Sequence, residues 1–499
     1  MPIEKTLTAP APPPLDPAAS LFRGSRTLIL RHVAGICVGL AGSIILPIAL
    51  GITEWGRLAI AIFLSTAMEG VLSQNGITAF LIRSPRPPGR DHAVAHTLQV
   101  LLGLVMMAAL AGAGLATAWW IDPSSSLVWL LPCAGGAGFL ASLAAVPTAL
   151  LAKRMDFGRI AVIELAGVLA LYAVSVPLAV AGLGAGLVGL GLVARGGAMA
   201  AVACAWMRPE GRWSLDRHST GRILRESVPV ATANFGAWFT ETIMPLLTGA
   251  LVGAGAVGFY RIAYTIVNYP RVIVYIMGRV LFSLLAGGSP SRRPGRLAWR
   301  TFLGSSLLLM PVVLTVGAMA PLYVPRIFRG SEWSGLDLVF LLAAVHYALY
   351  LLAYIPGQTL IAIGRSRDYT RFYVLYSAVM LAGTLAMCPW LGTATMPVAG
   401  IAASIALVSL VRRFRQACPF GASRCVVRNQ LLLLLPSAGL AWWMGRRGWE
   451  VPAAGAWIAA VLLWIAAARI GRNNVSALLT GLLRRQPIPS VEGTKGLLS

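Results

Sequence analysis

Charged residues are scarce in this chain. Asp, Glu, Lys and Arg make up only 12% of its 499 residues, against 57% apolar ones. Soluble domains are about a quarter charged, so a soluble globular fold is excluded and a polytopic membrane protein is indicated. The mean hydropathy of +0.76 agrees. Cysteine is sparse too. Cys37, Cys133, Cys204, Cys388, Cys418 and Cys425 show neither metal-ligand spacing nor a secreted disulfide framework. Most lie in apolar stretches, where cysteine acts as a small hydrophobe. No polar segment between the apolar runs is long enough for a fused soluble catalytic module. The opening residues, MPIEKTLTAPAPPPLDPAAS, lack the charged-then-apolar pattern of a signal peptide and read as a short disordered cytoplasmic tail.

Apolar runs, by contrast, abound. Stretches of about 20 residues, enough for a helix to cross a bilayer, recur fourteen times. They fall near 28–50, 57–82, 95–120, 127–151, 159–182, 186–207, 228–251, 258–285, 300–322, 336–363, 372–391, 397–416, 429–446 and 452–470. With the N-terminus placed inside, the cytoplasmic segments carry 32 Lys and Arg residues. The opposite side carries five: Arg57, Arg326, Arg329, Arg446 and Arg447. This is the positive-inside rule. It accounts for the net charge of +24 without nucleic acid, and it predicts that both termini are cytoplasmic.

Three spacings suggest an internal repeat: Pro47 with Pro245, 198 apart; Gly56 with Gly258, 202 apart; and Pro147 with Pro356, 209 apart. They predict two parallel six-helix lobes, residues 26–225 and 226–418. Helices 13 and 14 (419–471) are appended, and the tails are 1–25 and 472–499. The expected fold class is therefore an all-α polytopic membrane protein of about 14 transmembrane helices, two six-helix lobes around a central cavity plus two appended helices. Transporters built from parallel repeats place their substrate between the halves.

The eighth span, residues 258–285, departs from the apolar rule. At about 100° per residue, Arg261, Tyr264, Asn268, Arg271, Tyr275 and Arg279 share an arc of roughly 80°. An Arg at the bilayer centre costs about 2.5–3.5 kcal/mol on insertion scales, so this face is expected to meet a wet cavity or partner helices. Glu69, Arg195, Glu241 and Arg271 lie near mid-membrane, where opposite charges neutralise one another. Adjacent antiparallel spans make Glu241 with Arg271 the expected pair. Glu164, near the inner end of span five, reads as structural, and His346 as a lone polar group bonded to a neighbour.

Other patterns carry no chemistry. Gly184–Gly189 and Gly253–Gly258 both fit the dinucleotide-binding glycine spacing, but neither lies between a strand and a helix. They are read as tight outer turns and close helix contacts. His92 and His96 have no third ligand, and no metal or other cofactor is implied.

Several stretches do carry a resemblance. ALGITEWGRLAIAIFLSTAMEGVLSQNGITAFLIR (49–83), VPTALLAKRMDFGRIAVIE (146–164), GAGAVGFYRIAYTIVNYP (253–270) and IAIGRSR (361–367), with Trp333 in an outer loop, resemble lipid-linked oligosaccharide flippases. These form the polysaccharide transport (Wzx-like) family of the multidrug/oligosaccharidyl-lipid/polysaccharide exporter superfamily. The chain departs from the family pattern at Val280–Leu285, VLFSLL, where Phe-Pro is expected.

The resemblance implies a flippase rather than an enzyme. It would move an undecaprenyl-diphosphate-linked oligosaccharide across the bacterial inner membrane for exopolysaccharide or lipopolysaccharide assembly, by ion-coupled alternating access. Arg271 and Arg195 would then meet the diphosphate, because a planar guanidinium binds two oxygens at once. Arg261 and Arg279 would add charge nearer the membrane surfaces, and Tyr264, Asn268 and Tyr275 would suit sugar hydroxyls. Glu241 or Glu69 would carry the coupling ion. The expected partners are the lipid-linked oligosaccharide, the bilayer and a polysaccharide polymerase, with no nucleic acid. A multidrug exporter would want an acidic cavity, and a membrane glycosyltransferase or polymerase a long outer loop.

Overall fold

The computed structural model describes residues 17–73, 76–83, 90–120, 125–154, 156–207, 214–270, 294–418 and 424–468. Between 270 and 294 it describes 273–275, 277, 278, 281 and 285. All regular structure in these residues is helical. The terminal tails read from the sequence, up to residue 16 and from 469 onward, lie outside the described residues, as do Arg271 and Arg279.

The chain divides into two units, Met1–Gly258 and Phe259–Ser499. The first contains α1 (Pro17–Ser73), α2 (Gly76–Arg83), α3 (Arg90–Trp120), α4 (Leu127–Lys153), α5 (Phe157–Val180), α6 (Gly184–Val188), α7 (Leu190–Trp206) and α8 (Arg217–Val252). The helix α9 (Ala254–Asn268) begins in it and continues into the second. There follow α10 (Pro294–Ala318), α11 (Ala320–Ile327), α12 (Leu336–Ala362), α13 (Ser366–Leu391), α14 (Thr395–Ala403), α15 (Ala406–Ala417), α16 (Arg424–Arg446) and α17 (Glu450–Ala468).

Eight stretches among the described residues are long and apolar enough to cross a membrane, against fourteen spans read from the sequence. Part of the difference is that some helices run on. Cys37–Gly70 joins the first two spans in one stretch, and Arg367–Ala417 joins the eleventh and twelfth. Two shorter apolar helices, Thr242–Val252 and Glu450–Trp464, match the seventh and fourteenth.

Small residues hold the first unit together. With little hydrophobic drive inside a bilayer, helices associate by close packing, and glycine allows the closest approach. A Cβ on Gly135 of α4 would lie 3.0 Å from the Met107 carbonyl of α3, and one on Gly138 would overlap Met68 of α1. One on Gly196 of α7 would come within 2.6 Å of the Ala137 carbonyl. Thus α4 is clasped by three neighbours. Asp156 and Asp216 cap α5 and α8 by accepting from the Arg159 and Ser219 amides, at 3.1 and 3.0 Å. In the second unit, Gly317 of α10 packs against Leu341 and Ala344 of α12. There α16 and α17 are tied to α10 by Gln430 Nε2 donating to the Ser306 carbonyl and Trp457 Nε1 donating to Thr315 Oγ1, both at 2.8 Å.

Positions 202 residues apart share backbone features. Gly51 breaks the helical geometry inside α1 at φ 74°, ψ 167°, and Gly253, 202 residues on, ends α8 at φ 110°, ψ 165°. At the same offset Gly56 corresponds to Gly258, and Ile52 to Ala254. A Cβ on Gly56 would run into the Ala254 carbonyl, and one on Gly258 would lie 3.0 Å from the Ile52 carbonyl. Each glycine therefore touches the other's counterpart neighbour, as in a two-fold contact. Trp55 Nε1 adds a 3.2 Å hydrogen bond to the Gly258 carbonyl. The 209-residue spacing is equally exact: α4 begins at Leu127 and ends at Lys153, and α12 runs from Leu336 to Ala362.

Candidate functional site

In the first unit, the elements around α4 bring two of the predicted mid-membrane residues together. Arg195 of α7 donates from Nη2 to Glu69 Oε2 of α1 at 2.7 Å. Both side chains are largely buried, at 22% and 14% exposure. Two further polar atoms of the pair, Arg195 Nε and Glu69 Oε1, are buried and make no hydrogen bond. Close packing sets the geometry. A Cβ on Gly167 of α5 would lie 3.3 Å from Arg195 Cγ, so α5 presses on the arginine stem. Glu164 stands one turn before Gly167 and lies within electrostatic reach of Glu69.

The structure pairs Glu69 with Arg195, a combination the sequence left open among four residues of similar depth. Glu241 lies on α8, but its side chain is outside the described residues, as is the whole of its expected partner Arg271.

The second unit contains the described part of the basic face. The Arg261 guanidinium lies 5.8 Å from the Tyr264 ring, a cation–π distance. Tyr264 meets Tyr260 and, edge to face, Tyr347 of α12, at 5.7 and 5.2 Å. The Tyr260 and Tyr347 hydroxyls share a 3.0 Å hydrogen bond. Further along, Tyr275 packs edge-on to Tyr354 at 4.4 Å. Asn268 is half-buried at the end of α9. The tyrosines of this face are therefore engaged with α12.

The same unit contains a buried histidine–tyrosine group between α12 and α13. His346 Nε2 and the Tyr376 hydroxyl of α13 are 2.6 Å apart, and the two rings stack with an interplanar angle of 20°. Tyr373 shares hydrogen bonds with Tyr350 and Tyr369, at 2.7 and 3.2 Å. Tyr369, Tyr373 and Tyr376 occupy i, i+4 and i+7 positions, one helical face. That spacing is the signal the sequence offered. Asp368 precedes them and is held by Arg365 at 2.8 Å and by Arg413 of α15.

Residues 49–337 match the family model described as polysaccharide biosynthesis protein. The chain belongs to that family. Among solved structures, this polysaccharide biosynthesis protein is similar to one titled lipid II flippase MurJ, inward closed conformation. Identity is 10% and the TM-score 0.68, over 92% of this chain and 99% of the other. It is also similar to a multidrug resistance MATE family transporter of the MOP superfamily in two conformations. The inward-facing form has 13% identity and a TM-score of 0.53, over 81% of this chain and 96% of that one. The outward-facing form has 12% and 0.54, over 80% and 97%. No curated protein matches the sequence. The fold of this family member is thus the all-α transporter fold shared by those proteins, and it is a multi-pass membrane protein.

Proposed function

We propose that this protein is a flippase that moves a polyprenyl-diphosphate-linked oligosaccharide from the cytoplasmic to the periplasmic leaflet during bacterial polysaccharide biosynthesis. It acts in the inner membrane with both termini cytoplasmic, by ion-coupled alternating access. The observation that carries this reading is the basic, aromatic face of residues 258–285 in a member of a polysaccharide-biosynthesis family. The likeness to a lipid II flippase supports a lipid-linked substrate.

In this reading Arg271 and Arg195 meet the diphosphate, whose oxygens suit the bidentate guanidinium fork. Arg261 and Arg279 guide the anion at either end, and Tyr264, Asn268 and Tyr275 serve the sugars. The Glu69–Arg195 pair supports a switching role for that site. A diphosphate that engages Arg195 releases Glu69 for ion coupling. Glu241 is the second coupling carboxylate.

A multidrug exporter is the rival, and the MATE likeness keeps it in view. The basic face of residues 258–285 favours an anionic substrate over a cationic drug. The deciding experiment is Arg271→Ala in a host lacking the native flippase. Lost glycan export with normal membrane insertion is expected, and full export would overturn the phosphate-binding role. Drug efflux by the wild-type protein without glycan movement would favour the exporter.

A further inference from the structure

We propose that His346 is a proton-carrying group of the transport cycle, held in place by Tyr376. This deepens the reading of the chain as an ion-coupled flippase and rests on it.

The fold does not demand a histidine there. At the 209-residue offset, His346 of α12 corresponds to Ala137 of α4, and those two helices match at both ends. Ala137 packs against a glycine of a neighbouring helix, Gly196 of α7. His346 likewise faces a glycine of a neighbouring helix, since any Cβ on Gly400 of α14 would overlap the imidazole. A methyl group satisfies this station in one unit. In the other, a titratable ring is buried to 3% exposure. Burying a polar group costs free energy unless its hydrogen bonds are made, so the imidazole needs a reason beyond packing.

Its hydrogen-bond partner suits proton exchange. A tyrosine hydroxyl both donates and accepts. It donates to Nε2 when that nitrogen is bare and accepts from Nε2–H in the imidazolium. The 2.6 Å bond therefore survives either protonation state. The reaction is the gain and loss of one proton by the ring, with no other bond made or broken. The rings of Tyr347 and Tyr350 lie 4.8 and 6.2 Å from the imidazole.

Among the described residues, the ring and hydrogen-bond neighbours of the imidazole are tyrosines. Tyr347 and Tyr350 face the imidazole from its own helix, and Tyr376 from α13. From α14 the neighbour is Gly400. Tyr260 and Tyr264 of α9 reach Tyr347, with Arg261 beyond Tyr264. In α10 the charged residues are Arg296 and Arg300, near its start, and in α15 they are Arg412, Arg413 and Arg415, near its end. In α16, Gln430 turns to Ser306 and Arg446 to Asp337. The acids on α12 and α13 are distant. Asp337 is nine residues from His346, and Asp368 eight from Tyr376, roughly 12–14 Å along a helix. Tyr369, Tyr373 and Tyr350 form a string of hydroxyls from beside Asp368 toward the histidine, with Tyr350 and Tyr376 in ring contact at 5.6 Å.

The test uses the full chain in proteoliposomes with a short polyprenyl-diphosphate oligosaccharide as substrate. The rate is measured with and without an imposed pH gradient. Wild type is expected to run several-fold faster with the gradient, and His346→Gln, which keeps a hydrogen-bonding side chain but takes up no proton near neutrality, to give a ratio of one. His346→Ala, the residue of the matching helix, serves if the glutamine variant folds poorly. In parallel, histidine-labelled NMR of the detergent-solubilised protein should show one imidazole titrating between about pH 5 and 8 that is missing from the variant. A variant with the wild-type gradient ratio, or a His346 signal silent across that range, overturns the proposal. Wild type that moves substrate without any response to the gradient overturns this inference alone. Wild type that moves no lipid-linked substrate overturns the flippase reading beneath it.

Discussion

Glu69 on α1 and Arg195 on α7 meet at 2.7 Å although 126 residues separate them. A pair this buried is weak ground for stability as a whole, but removing one partner strands the other charge, at a cost of about 3–5 kcal/mol. Glu69→Gln or Arg195→Gln alone should therefore lower the thermal midpoint in detergent by several degrees. The double variant should recover much of that loss. Additive losses in the double variant would show that the two groups do not depend on each other. If glycan movement stays lost while stability returns, the pair works in transport as well as packing.

The two-fold glycine contact makes a sharper prediction. Gly56→Ala drives a methyl group into the Ala254 backbone, which cannot rotate away. Overpacking of this kind costs about 1–3 kcal/mol. Gly255→Ala in the same region meets only Ile52 Cγ1, at an ordinary 3.8 Å, and alanine has the higher helix propensity. Thermal unfolding should therefore separate the variants, with Gly56→Ala destabilised and Gly255→Ala at or slightly above wild type. Equal midpoints would mean that the close approach is not maintained in the membrane.

Much of this architecture was legible in the sequence because bilayer chemistry is so restrictive. Apolar length located most of the helices, and two of them, α4 and α12, share their bounds at the 209-residue offset of Pro147 and Pro356. Continuity was harder to read: nothing in ALGITEWG says that α1 passes through Gly51 and carries on. Pairing was hardest. Sequence depth put Glu69, Arg195, Glu241 and Arg271 on one level. The choice of Arg195 for Glu69 depends on which helices small residues such as Gly138 and Gly167 draw together. His346 reads as an isolated polar residue until Gly400 and Tyr376 are seen to enclose it.

The repeat also swaps charge. Asp156 and Arg159 pair at 3.3 Å at the start of α5, and 209 residues on Arg365 and Asp368 pair at 2.8 Å with the signs exchanged. Only the second carboxylate is well buried, at 11% exposure, and it has Arg413 as a further partner. Exposed pairs contribute about 0.2–1 kcal/mol, whereas coupled groups in one network reach about 0.5–3 kcal/mol. A double-mutant cycle over Asp368→Asn and Arg413→Gln should therefore give the larger coupling, and one over Asp156 and Arg159 close to none. Comparable couplings would show that burial does not govern these pairs.

Tyr264 separates packing from sugar recognition. Its ring touches Tyr260 and Tyr347 and lies beneath Arg261, and all three contacts are made by the aromatic face or edge. Tyr264→Phe keeps the ring, so a purely structural role predicts both a small change in thermal midpoint and unaltered glycan movement. If the hydroxyl serves substrate, the same variant should keep its stability and lose translocation rate by roughly 5- to 10-fold, the effect of about 1–1.5 kcal/mol for one neutral hydrogen bond. Tyr264→Ala removes ring and hydroxyl together and should be impaired in both measurements, since an aromatic pair adds about 0.5–1.5 kcal/mol beyond its buried area. A phenylalanine variant that unfolds earlier yet transports normally would assign the hydroxyl to helix packing and leave Asn268 and Tyr275 as the polar groups for the sugar.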